Sequence, residues 1–157
     1  LIGLEHRASG EALVGVIQLP ALGECYHGGL GLGVFCGDEP LRIVDQGFGA
    51  GHRSPILASG DPLWFDESGR PHDHAILARH PLHRGYTDCF GHAMVLRGAV
   101  GATVEPGMAP WDLCATRALV PEAGGLIITR PSLQPGKTDA ILGAPTLVRG
   151  LVAELGW

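Results

Sequence analysis

The chain has 157 residues, of which 45% are hydrophobic and 17% charged, as is typical of one folded domain and not of a disordered segment. Its formal net charge is −5 and its basic residues do not cluster, which argues against a nucleic-acid partner or an anionic membrane surface. No run of about 18 apolar residues occurs, so the sequence predicts no membrane-spanning helix.

The four cysteines, Cys25, Cys36, Cys89 and Cys114, are far apart in sequence and form no Cys-x-x-Cys motif. In a chain of this length, that spacing favours reduced thiols over a disulfide framework. A secretory signal pattern is also absent. We therefore expect a cytoplasmic protein. The chain begins at Leu1 with apolar residues, which indicates a segment that starts inside a fold.

The first part of the chain is typical of strands. Residues 11–19, EALVGVIQL, are β-branched and apolar and stop at Pro20, as a buried strand does. Residues 24–44 contain strand-like runs around a glycine cluster, which predicts a hairpin or meander. A loop is expected over 45–54.

The middle of the chain is less regular. The stretch around residues 56–59 predicts a short strand that ends in a turn or helix start at Asp61. Residues 66–74 are expected to form a surface loop and residues 75–80 a helix of two turns. A longer helix is predicted over 88–97, ended by Gly98.

Strands and helices alternate in the last third, which predicts a layered α/β domain without internal repeat or linker. Strands are expected at 99–105, 126–130 and 139–144, and helices at 112–123 and 145–156.

The glycine-rich residues 28–37, GGLGLGVFCG, match neither common phosphate-loop motif and are followed by a strand, so a hairpin turn is predicted. The pairs His72 with His74 and His80 with His83 could bind zinc. The polar residues around them favour an exposed loop without metal instead.

Four carboxylates are the candidates for chemistry. Asp88 precedes a helix, Glu105 ends a strand, and Asp112 begins the next helix, which are places where α/β folds gather ligands. Spacing alone also allows the two aspartates to be helix N-caps. Glu122, ten residues further along the second helix, is expected to be structural.

Two stretches carry a family resemblance. Residues 105–125, EPGMAPWDLCATRALVPEAGG, resemble the signature W-D-x-x-A…E-A-G-G of the inositol monophosphatase family. Residues 15–37, GVIQLPALGECYHGGLGLGVFCG, look like that family's strand and hairpin. The order of motifs matches over essentially the whole chain.

The resemblance implies an αβαβα layered fold, a Mg²⁺-dependent phosphomonoesterase acting on a small substrate, and a homodimer. It implies that Asp112 is a ligand of the second metal, with Trp111 packed behind it. A carboxylate held at a helix start suits a hard cation. Two metals can activate a water and clamp the phosphate oxygens.

Residues 84–94, RGYTDCFGHAM, resemble the R-x-x-G-D-C-Y-G-Y stretch of the histidinol-phosphatase branch, with Thr87 in place of a glycine. The inositol branch has a histidine where this chain has Ala109. The resemblance implies that Asp88 and Glu105 face the organic part of the substrate. Two carboxylates suit an ammonium group better than a neutral polyol, so histidinol phosphate is expected.

The family's first metal site uses a Glu and a D-P-[IVL]-D-G-[TS] stretch, which this chain lacks. Residues 60–67, GDPLWFDE, contain Asp61-Pro62-Leu63, but in the wrong order along the chain and with Trp64 at the second Asp position. Residues 1–157 are therefore expected to be a single C-terminal portion of a phosphatase domain, with one metal ligand. On its own this portion is expected to have little activity, exposed apolar surface and a tendency to self-associate.

Three functions remain open at this point. The first is part of a Mg²⁺-dependent histidinol-phosphate phosphatase of histidine biosynthesis. The second is a phosphatase of inositol 1-phosphate or a sugar phosphate. The third is a degenerate, non-catalytic domain that binds a partner or ligand.

Overall fold

The computed structural model describes residues 1–45, 47, 55–85 and 87–157. The predicted loop over 45–54 therefore lies almost entirely outside the described residues. The strands are β1 (Ile2–His6), β2 (Glu11–Leu19), β3 (Glu24–Gly29), β4 (Gly33–Cys36), β5 (Glu39–Leu41), β6 (Leu57–Ser59), β7 (His83–Arg84), β8 (Ala102–Met108), β9 (Leu126–Pro131) and β10 (Thr138–Gly143). The α-helices are α1 (Pro62–Glu67), α2 (Pro71–Leu77), α3 (Asp88–Leu96), α4 (Pro110–Glu122) and α5 (Pro145–Leu155).

The first sheet is an antiparallel meander in the order β1-β2-β3-β4-β5. It confirms the predicted strand over 11–19 and the predicted hairpin around the glycine cluster. The turn between β3 and β4 contains Gly31, whose φ of 74° suits a residue without a Cβ. The edge strand β1 pairs with β2 and was not predicted.

The second sheet is mixed, in the order β7-β6-β8-β10-β9. Strand β6 runs parallel to β7 and β8, whereas β10 runs antiparallel to β8 and β9. The carboxyl ends of β6 and β8 therefore meet at one edge of the sheet, where α/β folds commonly bind ligands.

The elements stack in four layers. Helices α3 and α4 contact strands of both sheets, whereas α1, α2 and α5 contact each other or the second sheet. The order is thus sheet, helices, sheet, helices, which confirms the predicted layered α/β fold. The face of the first sheet away from α4 carries exposed apolar side chains, among them Ile2 and Leu4 at 70% and 58% exposure.

Helix α4 lies directly against the first sheet because glycines face it. A Cβ added to Gly15 would lie 2.4 Å from the carbonyl oxygen of Ala115, and one added to Gly3 would lie 2.6 Å from Cys114. A contact this close fixes the position of α4, and with it the position of Asp112 in its first turn.

The prediction of a surface loop over 66–74 is wrong, because α1 and α2 occupy most of it. The Asp61 carboxylate accepts a hydrogen bond from the backbone N–H of Leu63 at 2.7 Å and caps α1. Phe65 and Asp73 are buried. Helices of six and seven residues are too short to show clear periodicity in sequence.

The longer helices follow the prediction. Helix α3 ends at Leu96 and Gly98 has a φ of 72°, as expected of a glycine that ends a helix. After α4 the chain reverses at Gly124 and Gly125, and Gly124 has a φ of 86°. None of the helices in the described part of the chain combines the length and apolar character needed to cross a bilayer.

Candidate functional site

A pocket with a volume of about 540 Å³ opens where β8 ends and where α3 and α4 begin. It brings together three carboxylates that the sequence singled out, Asp88, Glu105 and Asp112. The remaining lining residues are Leu1, Trp64, Cys89, Pro106, Gly107, Met108, Trp111 and Lys137. Glu122 is not among the lining residues.

Asp112 does not occupy the N-cap position, so that interpretation is wrong. The N-cap of α4 is Ala109, because Pro110 takes the first helical position. Asp112 lies three residues further on, where its Oδ2 accepts a hydrogen bond from the Ala109 backbone N–H at 3.3 Å. The carboxylate still complements the positive end of the helix. No described residue hydrogen-bonds to Oδ1, which leaves one oxygen for a ligand.

Trp111 does not pack behind Asp112, contrary to what the resemblance implies. Its side chain is 72% exposed and lines the pocket. Trp64 is also half-exposed and lines the same pocket. The two indole rings therefore give the site apolar surface for the organic part of a ligand.

Glu105 lies in β8 and is buried, with 2% of its surface exposed. Its Oε1 accepts a hydrogen bond from the hydroxyl of Thr103 at 2.9 Å. Burial raises the pKa of Glu105 to about 8, and the nearby charge of Asp88 adds to the increase. A carboxyl group of this kind binds a proton or a cation readily, because its ionised form lacks solvation.

His92 lies behind Glu105 and was not singled out from the sequence. It is fully buried in α3, and its Nε2 lies 3.7 Å from Oε1 of Glu105. Nδ1 lies 2.9 Å from the hydroxyl of Thr116 on α4. Burial lowers the pKa of His92 to about 4, so the ring is neutral at physiological pH.

Asp88 is the first residue of α3 and is exposed to the pocket. Its φ of 42° lies in the left-handed region, where non-glycine residues are uncommon and carry strain. Aspartate tolerates this conformation better than most residues. A strained acid at a pocket is typical of functional sites.

Lys137 is the single lysine of the chain and lines the pocket beside the three acids. The sequence offered no signal for it, because it comes from the loop between β9 and β10. Its ammonium group adds one positive charge to a pocket that otherwise gathers carboxylates.

The histidine pairs do not converge on a metal site. His74 packs against Phe65 and His83, while Nε2 of His83 lies 2.9 Å from the hydroxyl of Ser59. Burial lowers the pKa of His83, helped by the neighbouring His74. Over residues 1–45, 47, 55–85 and 87–157, no three His, Cys, Asp or Glu side chains are grouped so that they could hold a metal ion.

The pocket nevertheless has the donor chemistry that a hard cation requires. Mg²⁺ prefers carboxylate oxygens and keeps several waters, and it is commonly held by one or two protein carboxylates together with phosphate. Asp112 lines the pocket, and its Oδ1 accepts no hydrogen bond from the described residues, so it is available to a cation that also binds phosphate and water.

Comparison with known proteins places the chain in a family. Residues 1–153 match the model of the inositol monophosphatase family. The histidinol-phosphatase of Chlorobaculum parvum is 31% identical over 99% of this chain and 60% of its own length. The histidinol-phosphatase of Mycobacterium tuberculosis is 30% identical over 71% of this chain and 44% of its own length.

Solved structures share the fold. An inositol monophosphatase from Zymomonas mobilis superposes with a TM-score of 0.77 at 20% identity, over 94% of this chain and 58% of that one. The chain thus spans about three-fifths of the length of those relatives that match nearly all of it. The match to the family model confirms the resemblance seen in the sequence, and the chain belongs to the inositol monophosphatase family of metal-dependent phosphatases.

Proposed function

We propose that residues 1–157 are the C-terminal portion of a Mg²⁺-dependent phosphomonoesterase that hydrolyses histidinol phosphate in histidine biosynthesis. The observation that carries this proposal is the convergence of Asp88, Glu105 and Asp112 on one pocket. The names of the two histidinol-phosphatases among its relatives support the choice of substrate.

Asp112 is the proposed metal ligand in this chain. When bound, Mg²⁺ supplies charge neutralisation for the phosphate and lowers the pKa of an attacking water. The part of Asp112 in this is to present Oδ1, while its Oδ2 is tied to the backbone of Ala109 and keeps the carboxylate in place. Since one carboxylate cannot hold two such ions, the proposal requires further ligands from elsewhere in the complete protein.

Asp88 and Glu105 are the proposed binding groups for the organic part of the substrate. Histidinol carries an ammonium group, which two carboxylates can neutralise and hydrogen-bond. Asp88 meets the ligand from the exposed side of the pocket and Glu105 from the buried side. Ammonium binding would lower the pKa of Glu105 and draw it into its ionised form.

Two further points belong to the proposal. A cytoplasmic location is supported by the four cysteines, all of which are free thiols in this structure. A homodimer is proposed from the family resemblance alone.

The substrate assignment is tested by Asp88→Asn in the complete protein that contains this chain. The variant keeps the size of the side chain and removes its charge. We expect KM for histidinol phosphate to rise at least about tenfold, as for the loss of one charged hydrogen bond, with little change in KM for glycerol 2-phosphate.

Asp66→Asn is the matched control, because Asp66 is an exposed acid on α1 outside the pocket. It should leave KM for both substrates unchanged. Equal effects of Asp88→Asn on the two substrates would contradict the ammonium role and favour a neutral sugar or inositol phosphate.

A further inference from the structure

The Nε2 atom of His92 is a buried polar atom without a hydrogen-bond partner in the described structure. Burying such an atom unpaired is unfavourable because it loses its hydrogen bonds to water, and native proteins rarely do so without a reason. Oε1 of Glu105 lies 3.7 Å from this atom, and Glu105 lines the pocket whereas His92 does not. The arrangement places an imidazole directly behind a pocket acid.

The contact with Thr116 is compatible with a proton on Nε2 of His92, because a threonine hydroxyl can donate to Nδ1. The Thr116 hydroxyl lies 2.9 Å from Nδ1 and has no other hydrogen-bond partner in the described structure. When the hydroxyl donates to Nδ1, the proton of the neutral ring must be on Nε2. The Nε2–H group then points toward Oε1 of Glu105, and a small shift of the helix or side chain brings the two into hydrogen-bond distance.

The two oxygens of Glu105 have different surroundings. Oε1 accepts from Thr103 and faces His92, so two donors can hold it. Oε2 lies toward Gly60, where a Cβ would come within 3.0 Å of it. The same space is bordered by Trp64, which lines the pocket. Oε1 is therefore held by groups inside the protein, whereas Oε2 lies on the pocket side.

We propose that His92 is a positioning residue that holds Glu105 through Nε2–H, so that Oε2 faces the pocket and selects substrates with a cationic group. Hydrogen bonds from Nε2–H and from Thr103 stabilise the ionised carboxylate, which has no solvent to do so. The ionised carboxylate can then bind an ammonium group, and the pair of opposite charges leaves no uncompensated charge in the buried site. This inference rests on the proposed function, in which Glu105 binds the substrate ammonium.

The contact between His92 and Glu105 can be tested without catalysis, by ¹⁵N NMR of the histidine rings in the complete protein. We expect His92 to show the Nε2–H tautomer, and Glu105→Gln to shift its Nε2–H resonance. Thr116→Val removes the partner of Nδ1 but leaves Glu105 beside Nε2, so the Nε2–H tautomer should persist in this variant. A wild-type Nδ1–H tautomer, or a His92 resonance unaffected by Glu105→Gln, would overturn the proposal.

The effect on selectivity is tested with His92→Leu and His92→Gln in the complete protein. Leucine removes the donor. We expect the ratio of kcat/KM for histidinol phosphate to kcat/KM for glycerol 2-phosphate to fall about tenfold, mainly because KM for histidinol phosphate rises. A loss of this size is expected for one hydrogen bond to a charged group. Glutamine keeps an N–H near the position of Nε2 and should restore most of the ratio. The control is His72→Gln, an exposed histidine on α2, which should leave the ratio unchanged.

The outcomes separate the two proposals. An equal loss on both substrates in His92→Leu, without rescue by His92→Gln, would show a structural role and overturn the positioning role. A complete protein that does not hydrolyse histidinol phosphate removes the proposed function. In that case the NMR measurement alone decides whether His92 holds Glu105.

Discussion

Nε2 of His92 lies 3.7 Å from Oε1 of Glu105, and both side chains are buried between α3, α4 and β8. Burial shifts the two groups in opposite directions, because it disfavours the charged form of each. The pKa of Glu105 rises from 4.5 to about 8, and that of His92 falls from 6.5 to about 4. Each shift makes the stability of the protein depend on pH.

The direction of each dependence follows from proton binding. Between pH 4.5 and about 8, folded Glu105 keeps a proton that the unfolded chain has released, so stability falls as pH rises. Between about pH 4 and 6.5, the unfolded chain binds a proton at His92 that the folded protein does not, so stability increases with pH. The two effects oppose each other up to about pH 6.5, and above it only that of Glu105 remains.

We therefore expect the free energy of unfolding to decrease by roughly 1–2 kcal/mol between pH 6.5 and 8 on account of Glu105. Urea unfolding of wild type and Glu105→Gln at several pH values measures this decrease. Glutamine cannot titrate, so the difference between the two proteins should change by that amount over the range. A constant difference would show that Glu105 titrates normally in the folded protein.

Asp112→Asn and Asp112→Ala should separate the two roles of this side chain. Asparagine retains an oxygen that can accept a hydrogen bond from the Ala109 N–H, so the free energy of unfolding should change by less than about 1 kcal/mol. Alanine loses this hydrogen bond and should lower the free energy of unfolding by about 1 kcal/mol. Both variants should weaken Mn²⁺ binding by the complete protein, followed by water proton relaxation. Wild-type Mn²⁺ affinity in Asp112→Asn would contradict the ligand role.

Asp139 should be one of the most important polar residues for stability. It is fully buried, its Oδ2 lies 3.2 Å from Nε of both Arg70 and Arg130, and its Oδ1 accepts from the backbone N–H of Gly107 at 3.0 Å. Because Gly107 lines the pocket, this network also supports the site.

Asp139→Ala removes an acceptor from two arginines and should cost about 3–5 kcal/mol, the usual effect of breaking a buried ion pair. Urea unfolding gives the value, and the loss should be accompanied by weaker ligand binding at the pocket. Glu5→Gln is the control, because the Glu5 pair with Arg117 is exposed and should contribute less than about 1 kcal/mol. Similar losses in both variants would contradict a special role for Asp139.

The long elements were predictable because their apolar residues recur over enough positions to indicate a strand or a helix. Such residues recur several times in β2, α3, α4 and α5. A helix start at Asp61 was one of the two predicted alternatives, and the predicted helix over 75–80 overlaps only the end of α2. The remaining parts of α1 and α2 were missed because these helices are short and are stabilised by a cap and by tertiary packing. Strand β1 was missed because its five residues, at the start of the chain, include a glycine and two polar residues, which leaves only two apolar positions.

The candidate site was predictable where a residue's place at the end of a predicted element, or a family motif, indicated it. Asp88, Glu105 and Asp112 were singled out by their places at helix starts and a strand end, the resemblance then implied their roles, and the fold brings all three to one pocket. His92 and Lys137 could not be predicted, because their relation to the pocket depends on how α3 packs against β8 and on the path of the loop after β9. The position of Asp112 in its helix was misjudged because Pro110 begins the helix two residues earlier.

We propose that this chain supplies the metal ligand and the substrate-binding acids of a histidinol-phosphate phosphatase. The most direct test of this proposal is phosphate release from histidinol phosphate by the complete protein, with Mg²⁺ and with EDTA, in wild type and Asp112→Asn. We predict that turnover of histidinol phosphate depends on Mg²⁺ and exceeds turnover of inositol 1-phosphate. In Asp112→Asn it should fall at least about a hundredfold, as expected when a group that acts on the transition state is lost. Turnover that persists in EDTA, that is equal in Asp112→Asn, or that favours inositol 1-phosphate would contradict the proposal.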